Sequence, residues 1–567
     1  MPIKKNNLCK LTVLSNKEDK MDLLNVTLTD VLKKNAENYP EDIAYIFDDV
    51  SYNWKQLDEI TDIIASMMLK KNIHKGTHVG VWSINSIQQV CIMYAAMKIG
   101  AVTAVFNYSY KHLEMKSVLS YADIEYLIYG ESTGSIDYLE VINKIKRNLP
   151  ELKDFFSITS IFNEAFELQK LDDALGLKTM EELSKAKGLV TTEDTACMLF
   201  TSGSTQLPKG VLLSYYSILN DAKVLSDLLR WNKNKDVMLI GMPIFHCSGM
   251  TCGLLLGLMV GMPTVIMRKY KPDQAMKLIE KYHVTAFNVV PSMLMLLVQD
   301  PGFGHYNISS WNSGILAGSG ITSEKYREFI SKVNIPHLQI GYGQTETSPL
   351  ITLSDYDDDT MLKSETIGKA IPNMEIRIWD NEANCECDAN AKGEIQTKGF
   401  CIMKGYYNMP QKDLEKYTHD GWLKTDDVGY RDKNDYFYFC GRMSDMIVRG
   451  GENISPSEIE CVIEHYSEDI LNVKVVGVDV DTAVQEEITA LIIMKPGKKI
   501  DPDGLKDFVK KHLASYKTPN FVFQLDKFPM NSTGKIDLVA IKKLAKNKIT
   551  EILEYQNDDK TWLDLCQ

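Results

Sequence analysis

Hydroxyl, glycine and lysine residues are concentrated in the segment FTSGSTQLPKG at positions 200–210, which could hold phosphate groups. The apolar stretch 196–200 leads into this loop, which offers four hydroxyl residues, two glycines and Lys209. Hydroxyls and exposed backbone amides surround phosphate oxygens, and the lysine adds positive charge. The loop is not a Walker A motif, because Pro208 stands before the lysine where that motif has glycine. The alternative interpretation is a polar surface loop without a ligand.

The segment GYGQTETSP at positions 341–349 combines an aromatic ring with a carboxylate. Tyr342 offers a flat face on which a purine could stack, and Glu346 is suited to a hard cation such as Mg²⁺. The alternative is a turn that carries a solvated glutamate. The Gly-x-Gly units at 302–304 and 318–320 add little, because neither completes the pattern of a dinucleotide-binding loop.

Three further motifs lie toward the C-terminus. The segment GWLKTDDVGY at 421–430 places two carboxylates side by side, and a carboxylate can accept both hydroxyls of a ribose. The segment 441–460 is rich in glycine and charge before a helix that we predict to begin at Pro456. The segment PMNSTGKID at 529–537 places Lys535 in a glycine-containing turn. Taken alone, each of these charged groups is more readily explained as part of a solvated surface.

Together, in this order, the five motifs resemble those of the adenylate-forming superfamily of acyl- and aryl-CoA synthetases, luciferases and peptide-synthetase adenylation domains, with the acyl-CoA synthetases the nearest group. The resemblance covers residues 27–544, nearly the whole chain. It implies a large N-terminal domain of two doubly wound α/β subdomains with a small β-barrel, followed by a small mobile α+β domain. The α/β fold class expected from the resemblance agrees with the alternation of elements described below.

The resemblance also implies a role for each matching position. The β- and γ-phosphates of ATP would be held by Thr201, Ser202, Gly203, Ser204, Thr205 and Lys209, and the α-phosphate would be contacted by Thr345. The adenine slot would be formed by Gly318, Ser319 and Tyr342, and Gly343 and Gln344 would belong to the same nucleotide-binding motif as Tyr342. The ribose hydroxyls would be bound by Asp427 with Arg442. For the chemistry, Glu346 would bind Mg²⁺, Lys535 would reach the substrate carboxylate and the α-phosphate, His246 would lie at the acyl pocket, and Gly450 and Gly451 would line the pantetheine channel.

Three positions depart from the common pattern of the superfamily. Gln206 replaces the glycine that usually follows the threonine, Asp426 replaces the glycine before the ribose-binding aspartate, and Ser444 stands at the hinge where Asp or Lys is usual. The positions expected to act on the substrates directly, Glu346 and Lys535 among them, are all present. We therefore expect an active enzyme rather than a ligand-binding member of the fold that has lost catalysis.

The elements that must position these residues follow an alternating pattern. An amphipathic stretch at 57–71 precedes a β-branched run at 78–82, a second helical stretch at 87–99 and a second apolar run at 100–106. This succession predicts a parallel sheet covered by helices. From about 365 to 439, short alternating runs separated by Gly, Asn and Asp predict a small antiparallel β unit. We accordingly expect a flexible tail at 1–26, an adenylation domain at 27–440 whose two α/β subdomains reach about 364 and whose β-barrel covers 365–440, and a mobile domain at 441–567.

Composition limits the classes of partner. The chain has 567 residues, of which 63 are Lys or Arg and 76 are Asp or Glu, for a formal net charge of −13. This acidic balance argues against a nucleic-acid partner. The eleven cysteines form no CxxC pair, so we expect reduced thiols in a cytoplasmic protein and no zinc site. The sequence leaves the oligomeric state open.

The segment 237–267 lacks Asp, Glu, Lys and Arg and is long enough to span a bilayer. It carries glycines at four-residue spacing, at 249, 253, 257 and 261, which allow close helix packing. Prolines at 243 and 263 interrupt the run, and no second such segment exists, so we predict buried structure and no transmembrane segment. The N-terminus shows no apolar core of signal-peptide length.

The predicted function is an ATP-dependent carboxylic acid–CoA ligase that uses Mg²⁺ and takes coenzyme A as co-substrate. The substrate is a small-molecule carboxylate, and a fatty or other apolar acid is favoured over an aromatic acid, because His246 stands where amino-acid-activating relatives carry an aspartate for the substrate amine. Two alternatives stay open. One is an adenylate-forming enzyme that loads a separate acyl carrier protein, and the other is a non-catalytic ligand-binding protein.

Overall fold

The computed structural model describes residues 20–132, 134, 136–169, 177–201, 208–449, 452–479, 486–530 and 536–565. The chain divides into two compact units. The first unit runs to Arg377 and also takes in Gln396–Lys424 and Asp435–Phe437. The second unit comprises Ile378–Ile395, Thr425–Asn434 and the chain from Tyr438 onward.

The strands are numbered in chain order. They are β1 (Ile43–Phe47), β2 (Val50–Asn53), β3 (His78–Trp82), β4 (Val102–Phe106), β5 (Tyr126–Tyr129), β6 (Asp154–Ser157), β7 (Thr195–Thr201), β8 (Lys209–Ser214), β9 (Met238–Ile240), β10 (Thr264–Ile266), β11 (Ala286–Phe287), β12 (Ser313–Leu316), β13 (His337–Tyr342), β14 (Thr352–Leu353), β15 (Lys369–Ala370), β16 (Met374–Asp380), β17 (Cys385–Glu386), β18 (Gly393–Gly399), β19 (Gly405–Tyr406), β20 (Leu423–Arg431), β21 (Phe437–Arg442), β22 (Ile447–Arg449), β23 (Glu452–Ile454), β24 (Ile470–Asp479), β25 (Glu486–Met494) and β26 (Phe521–Gln524).

The α-helices are numbered in the same way. They are α1 (Leu28–Asn38), α2 (Trp54–Lys70), α3 (Ile87–Lys98), α4 (His112–Tyr121), α5 (Tyr138–Ile145), α6 (Ile158–Gln169), α7 (Leu177–Gly188), α8 (Tyr215–Leu228), α9 (Cys247–Gly249), α10 (Leu256–Val260), α11 (Pro272–Tyr282), α12 (Pro291–Gln299), α13 (Ser323–Val333), α14 (Thr360–Glu365), α15 (Pro410–Lys416), α16 (Pro456–Glu464), α17 (Pro502–His512) and α18 (Leu538–Leu565).

A seven-stranded sheet in the first unit has the strand order β19-β8-β7-β4-β3-β5-β6. Strands β7, β4, β3, β5 and β6 are parallel, whereas β8 and β19 are added antiparallel at one edge. The helices between the parallel strands supply the crossover connections that a parallel sheet requires. Helix α2 begins where the Asn53 side chain accepts a hydrogen bond from the Gln56 amide and the Gln56 side chain bonds back to the Asn53 amide.

The first unit also contains a nine-stranded sheet with the order β15-β14-β13-β12-β11-β9-β10-β1-β2. Its six central strands, from β13 to β1, are parallel. A large apolar core packs against this sheet and includes Phe287, Trp311 and Tyr326. The parallel strands end at the same edge of the sheet, where ligands bind in open α/β folds.

The remaining sheets are smaller. Strands β16, β17, β18, β20 and β21 form a five-stranded sheet in the order β17-β16-β18-β20-β21, and its residues are divided between the two units. In the second unit, β24, β25 and β26 form a three-stranded sheet with an apolar cluster on each face. One cluster includes Ile459, Leu505 and Val509 from α16 and α17, and the other includes Ile541 and Ala545 from α18.

The α/β fold class predicted from the sequence is confirmed, and several elements coincide with their predicted bounds. The predicted strand 78–82 is β3, and the predicted helix 87–99 is α3, which ends one residue earlier. The apolar segment 237–267 is mostly buried but is not one helix. It forms β9, α9, the π-helical turn Met250–Leu255, α10 and β10. In the described part of the chain, no helix has the length and apolar character needed to cross a membrane.

Two of its glycines explain this segmentation. A Cβ at Gly249 would lie 2.1 Å from the carbonyl oxygen of Pro243, so the chain can fold back on itself only with glycine there. Gly261 ends α10 with φ +75°, a left-handed conformation that glycine adopts without strain. The glycine spacing therefore serves turns and close packing inside the first unit.

Candidate active site

Two residues of the predicted phosphate loop lie opposite each other on adjacent strands. Thr201 ends β7 and Lys209 begins β8, and the two residues are paired in the antiparallel ladder. The loop that joins them is thus the connection of a β-hairpin. Ser202, Gly203, Ser204, Thr205 and Gln206 lie outside the described residues.

The predicted adenine-binding residues follow two neighbouring parallel strands. Strand β12 leads to Gly318 and Ser319, which are exposed, and β13 ends at Tyr342. Leu316 of β12 is in register with Ile340 of β13, so both loops leave the same edge of the sheet. Gly318 has φ +92°, which favours glycine at this position. These elements bring the three residues to one edge of the nine-stranded sheet.

The turn after Tyr342 is packed too closely for any other residue at Gly343. A Cβ there would lie 1.9 Å from the carbonyl oxygen of Pro349 and 2.9 Å from the Cα of Leu350. The backbone of Gln344 is also fixed, because its N–H donates to the Thr347 hydroxyl at 2.9 Å. The short 3₁₀ helix Thr345–Thr347 follows directly. This turn fixes the backbone that carries Thr345 and Glu346.

Glu346 is 8% exposed and is held by the segment around Tyr406. The Tyr406 hydroxyl donates to Oε1 of Glu346 at 2.7 Å, and the Met403 amide donates to the Glu346 carbonyl oxygen at 2.9 Å. Burial, with the neighbouring carboxylates of Asp413 and Glu346, raises the pKa of Tyr417 to about 12. Tyr417 therefore stays protonated beside this carboxylate at neutral pH.

Lys209, on the neighbouring strand β8, contacts the ring of the same tyrosine. Its Nζ lies 4.7 Å from the centroid of the Tyr406 ring, within the range of a cation–π contact. The ammonium of the predicted phosphate loop and the carboxylate of Glu346 thus share one aromatic side chain. The sequence gives no direct indication of this link, because Tyr406 belongs to none of the five motifs.

The residue predicted for the acyl pocket, His246, is connected to the same turn through Cys247. The Cys247 thiol lies 3.7 Å from Nδ1 of His246 and 3.6 Å from the Thr345 hydroxyl. The Ser248 hydroxyl is also 3.4 Å from Nδ1 of His246. Within the described residues of the first unit, contacts therefore connect the predicted acyl-pocket, α-phosphate and metal residues with Lys209. Sequence reasoning missed Cys247 and Tyr406, which complete the chain of contacts.

In the second unit, the structure brings together the two residues predicted to bind ribose. Asp427 lies on β20 and Arg442 ends β21, and Nε of Arg442 is 3.4 Å from Oδ1 of Asp427. The neighbouring Asp426 is exposed and has φ +60°, in the region that glycine adopts most easily. Ser444 lies in the 3₁₀ turn Met443–Asp445, while Gly450, Gly451 and Lys535 lie outside the described residues.

The carboxylate of Glu346 fits a magnesium ion that arrives with a nucleotide. Among the described residues, no group of three or more His, Cys, Asp and Glu side chains is placed to hold a metal ion. Mg²⁺ is commonly bound by one or two carboxylates together with phosphate oxygens and water, so a single buried carboxylate is a sufficient protein contribution.

Comparison with known proteins gives matches to two family profiles. The profile described as "AMP-binding enzyme" matches residues 32–407, and the profile described as "AMP-binding enzyme C-terminal domain" matches residues 458–535. The first of these covers well over half of the chain and contains the hairpin of Lys209 and the turn of Glu346. The second covers the sequence segment that includes Lys535.

Individual relatives match almost from end to end. Putative acyl-CoA synthetase YngI of Bacillus subtilis (strain 168) is 32% identical over 538 residues, which are 92% of this chain and 97% of that protein. Medium-chain acyl-CoA ligase ACSF2, mitochondrial, of Homo sapiens is 29% identical over 545 residues, which are 92% of this chain and 88% of that protein. The crystal structure of ATP-bound MatB from Rhodopseudomonas palustris shares the fold, with a TM-score of 0.79, 22% identity and coverage of 92% of this chain and 99% of that one.

Proposed function

The chain belongs to the AMP-binding enzyme family and is an AMP-forming acyl-CoA synthetase, and from that premise we propose that it activates a fatty or other apolar carboxylic acid. The first half-reaction joins the acid to AMP. The second transfers the acyl group to the thiol of coenzyme A. The single observation that supports this proposal best is the contact chain from His246 through Cys247, Thr345, Glu346 and Tyr406 to Lys209.

The first half-reaction must bring two anions together. An oxygen of the substrate carboxylate attacks the α-phosphorus of ATP, the bond from that phosphorus to the bridging oxygen breaks, and pyrophosphate leaves with the electron pair. We propose that Lys209 and Lys535 offset the negative charge that develops, as preorganised cations do in other sites. Thr345 would donate its hydroxyl hydrogen bond to the α-phosphate. Because both reactants are held in one site, positioning supplies a large part of the rate gain.

Glu346 is the residue proposed to hold Mg²⁺. When bound, Mg²⁺ neutralises charge on the phosphate oxygens. The protein contribution is a carboxylate whose orientation is fixed by the Tyr406 hydroxyl at 2.7 Å and by the Met403 amide on its backbone. A carboxylate held in this way keeps its place without a loss of side-chain freedom when the nucleotide binds.

The nucleotide base and sugar are assigned by the resemblance. Gly318, Ser319 and Tyr342, with Gly343 and Gln344 in the turn that follows, are proposed to hold adenine. Asp427 is proposed to accept both ribose hydroxyls, with Arg442 beside it. A buried carboxylate suits this role, because it is a strong acceptor that cannot donate. Asp427 is only 2% exposed.

The second half-reaction uses a thiol. The sulfur attacks the carbonyl carbon of the acyl-adenylate, the bond from that carbon to the phosphate oxygen breaks, and AMP leaves. We propose that the C-terminal domain rotates near Ser444 between the half-reactions and exchanges Lys535 for Gly450 and Gly451, which would line the pantetheine channel. Lids and domains that close in this way let one site serve two steps. An acyl carrier protein is the alternative acceptor.

The preference for an apolar acid rests on the environment of His246. The segment that follows it, Met250–Leu258, is buried and carries no charged side chain. Apolar surface of this kind favours an alkyl or aryl tail and disfavours a substrate ammonium. The name of the human relative, a medium-chain acyl-CoA ligase, favours an alkyl chain of that class. Fatty acids are therefore placed before aromatic acids.

We also propose a reducing compartment, the cytoplasm, as the location. None of the nine cysteines in the described residues forms a disulfide, and only Cys247 takes part in the contacts of the site. Free thiols persist where glutathione keeps them reduced. Fractionation of cells that express a tagged form of the chain tests this location directly, and mitochondria, the location in the name of the human relative, are the competing outcome.

A panel of carboxylic acids tests the function. Purified protein with Mg²⁺ and ATP is offered straight-chain acids of increasing length and substituted benzoic acids, and pyrophosphate release is measured. Coenzyme A is then added and AMP release is followed. We expect release to peak with an alkyl acid and to accelerate with coenzyme A. Adenylate that accumulates regardless of coenzyme A supports the carrier-protein alternative. If no acid gives pyrophosphate release, the catalytic proposal is wrong.

A further inference from the structure

Tyr406 occupies a buried position between Lys209, which is proposed for the phosphates, and Glu346, which is proposed for Mg²⁺. It is 3% exposed and lies on β19, the edge strand of the seven-stranded sheet. None of the five motifs in the sequence contains it. It nevertheless contacts both Lys209 of the β7–β8 hairpin and Glu346. The first contact is a cation–π contact and the second is a hydrogen bond.

The first contact fixes the carboxylate. The Tyr406 hydroxyl donates to Oε1 of Glu346 at 2.7 Å, a distance typical of an O–H···O hydrogen bond. The same segment binds the backbone of the same residue, since the Met403 amide donates to the Glu346 carbonyl oxygen at 2.9 Å. Two bonds from positions three residues apart thus hold both the main chain and the side chain of Glu346.

The second contact orients the ammonium. Nζ of Lys209 lies 4.7 Å from the centroid of the Tyr406 ring. The strands that carry the two residues are hydrogen-bonded neighbours, with Tyr406 in register with Val211 and the Tyr407 amide bonded to the Gly210 carbonyl at 2.8 Å. The ring and the ammonium therefore lie on paired strands, β19 and β8, rather than on a loop.

The position of Tyr406 is itself fixed from behind. Its amide donates to Oδ1 of Asp413 at 2.7 Å. The preceding Gly405 has φ +142°, and a Cβ there would lie 2.7 Å from Oδ2 of Asp413. The backbone at 405–406 is thus held against α15 in a conformation that tolerates no larger residue before the tyrosine.

We propose that Tyr406 is a positioning residue of the adenylation step, which holds Glu346 for the magnesium ion through its hydroxyl and Lys209 for the phosphates through its ring. This inference rests on the proposed function of those two residues. The two halves of the role are separable, because the hydroxyl acts only on the carboxylate and the ring acts only on the ammonium.

The variant Tyr406→Phe removes the hydroxyl and keeps the ring. Tyr407→Phe is the matched control, because the Tyr407 hydroxyl also donates to a carboxylate at 2.7 Å, that of Asp123, which has no proposed role in the site. Binding of Mn²⁺ in the presence of ATP is measured by electron paramagnetic resonance without any carboxylic acid. We expect Tyr406→Phe to weaken Mn²⁺ binding about 10-fold or more, the size of a lost hydrogen bond to a charged group, and Tyr407→Phe to change it less than twofold.

The variant Tyr406→Leu removes the ring as well. We expect it to weaken binding of ATP without metal about 2- to 30-fold, the range of a cation–π contact, whereas Tyr406→Phe leaves that binding unchanged. Thermal unfolding of each variant verifies that it is folded, and Tyr406→Phe carries the test if Tyr406→Leu is not. Metal binding by Tyr406→Phe within twofold of the parent protein overturns the inference. Because no acid is turned over, this outcome is distinct from failure of the proposed reaction, which the wild-type acid panel reports.

Discussion

Asp427 and Arg442 form an ion pair whose two members differ sharply in exposure. Nε of Arg442 lies 3.4 Å from Oδ1 of Asp427, yet the side chain of Asp427 is 3% exposed and that of Arg442 is 58% exposed. The carboxylate thus lies inside the protein, whereas the guanidinium beside it reaches solvent. Asp427 therefore offers a buried acceptor within β20, with a cation at its side.

The first prediction concerns the sugar of the nucleotide. Asp427→Asn replaces a carboxylate that accepts two hydroxyls with an amide that accepts one, so we expect the preference for ATP over 2′,3′-dideoxy-ATP to fall about 10-fold or more. The ratio of kcat/KM values for the two nucleotides measures it by pyrophosphate release. Asp432→Asn serves as the control, because Asp432 directly follows the same strand, β20. A preference that is unchanged in Asp427→Asn contradicts the assignment of the ribose hydroxyls.

The second prediction concerns the turn before Glu346. Gly343→Ala places a methyl group 1.9 Å from the Pro349 carbonyl oxygen, so the turn must shift. We expect pyrophosphate release to fall at least about 10-fold and the free energy of unfolding to fall by about 1–3 kcal/mol. Urea unfolding and the release assay measure the two effects.

Gly188→Ala is the control for this variant, since a Cβ at Gly188 meets no atom within 4 Å. We expect it to leave both quantities near those of the parent protein. Full activity in Gly343→Ala would show that the turn does not set the position of Thr345 and Glu346.

The third prediction concerns pH and the buried Asp221 of α8. Burial raises the pKa of Asp221 well above its ordinary value, and only the backbone amide of Leu350 acts to lower it. The folded protein therefore retains a proton that the unfolded chain loses above about pH 4, so stability falls as pH rises toward the raised pKa. Asp221→Asn removes this titration, and we expect the free energy of unfolding at pH 7 to rise by about 1–3 kcal/mol.

Urea unfolding at pH 5, 6 and 7 checks both the shift and the slope. The Asp227→Asn variant is the control, because Asp227 lies on the same helix but is paired with Lys223 at the surface. The prediction fails if Asp221→Asn is destabilised by the same amount at all three values of pH.

The fourth prediction separates the half-reactions. We expect Lys535→Ala to abolish nearly all pyrophosphate release and to leave thioester formation from supplied acyl-adenylate largely intact, because the lysine acts only while the two anions are joined. Lys527→Ala removes an exposed charge nearby in the sequence and should change neither rate. Equal loss of both half-reactions in Lys535→Ala contradicts this division of roles.

Periodicity located many elements of the fold because burial enforces it. Strand β3 has the predicted bounds, since its alternating residues face buried surroundings on both sides of a parallel sheet. The segment 237–267 shows the limit of this reasoning. Its uniform apolar character carries no period, and the turns at Gly249 and Gly261 are set by contacts with Pro243 and by backbone geometry rather than by any pattern in the run.

The site divides in the same way. Residues such as Lys209 and Glu346 stand in motifs whose composition already points to phosphate and metal chemistry. Tyr406 lies in an ordinary strand, and only pairing with β8 brings it between those two charges. One signal was available, the Gly405-Tyr406-Tyr407 run with a glycine before two aromatic residues, but nothing in it specifies which hydroxyl meets which carboxylate.

During synthesis of the chain, Glu346 is made before Tyr406, its hydrogen-bond donor, which lies sixty residues further along. At about 5–20 residues per second, a ribosome needs about 3–12 s to supply that tyrosine after the glutamate. During this interval the acid has neither its hydroxyl donor nor the strand that carries it, so a nascent chain cannot yet assemble the arrangement. The hydrogen bond that orients the Glu346 carboxylate can therefore form only after the chain has been made past residue 406.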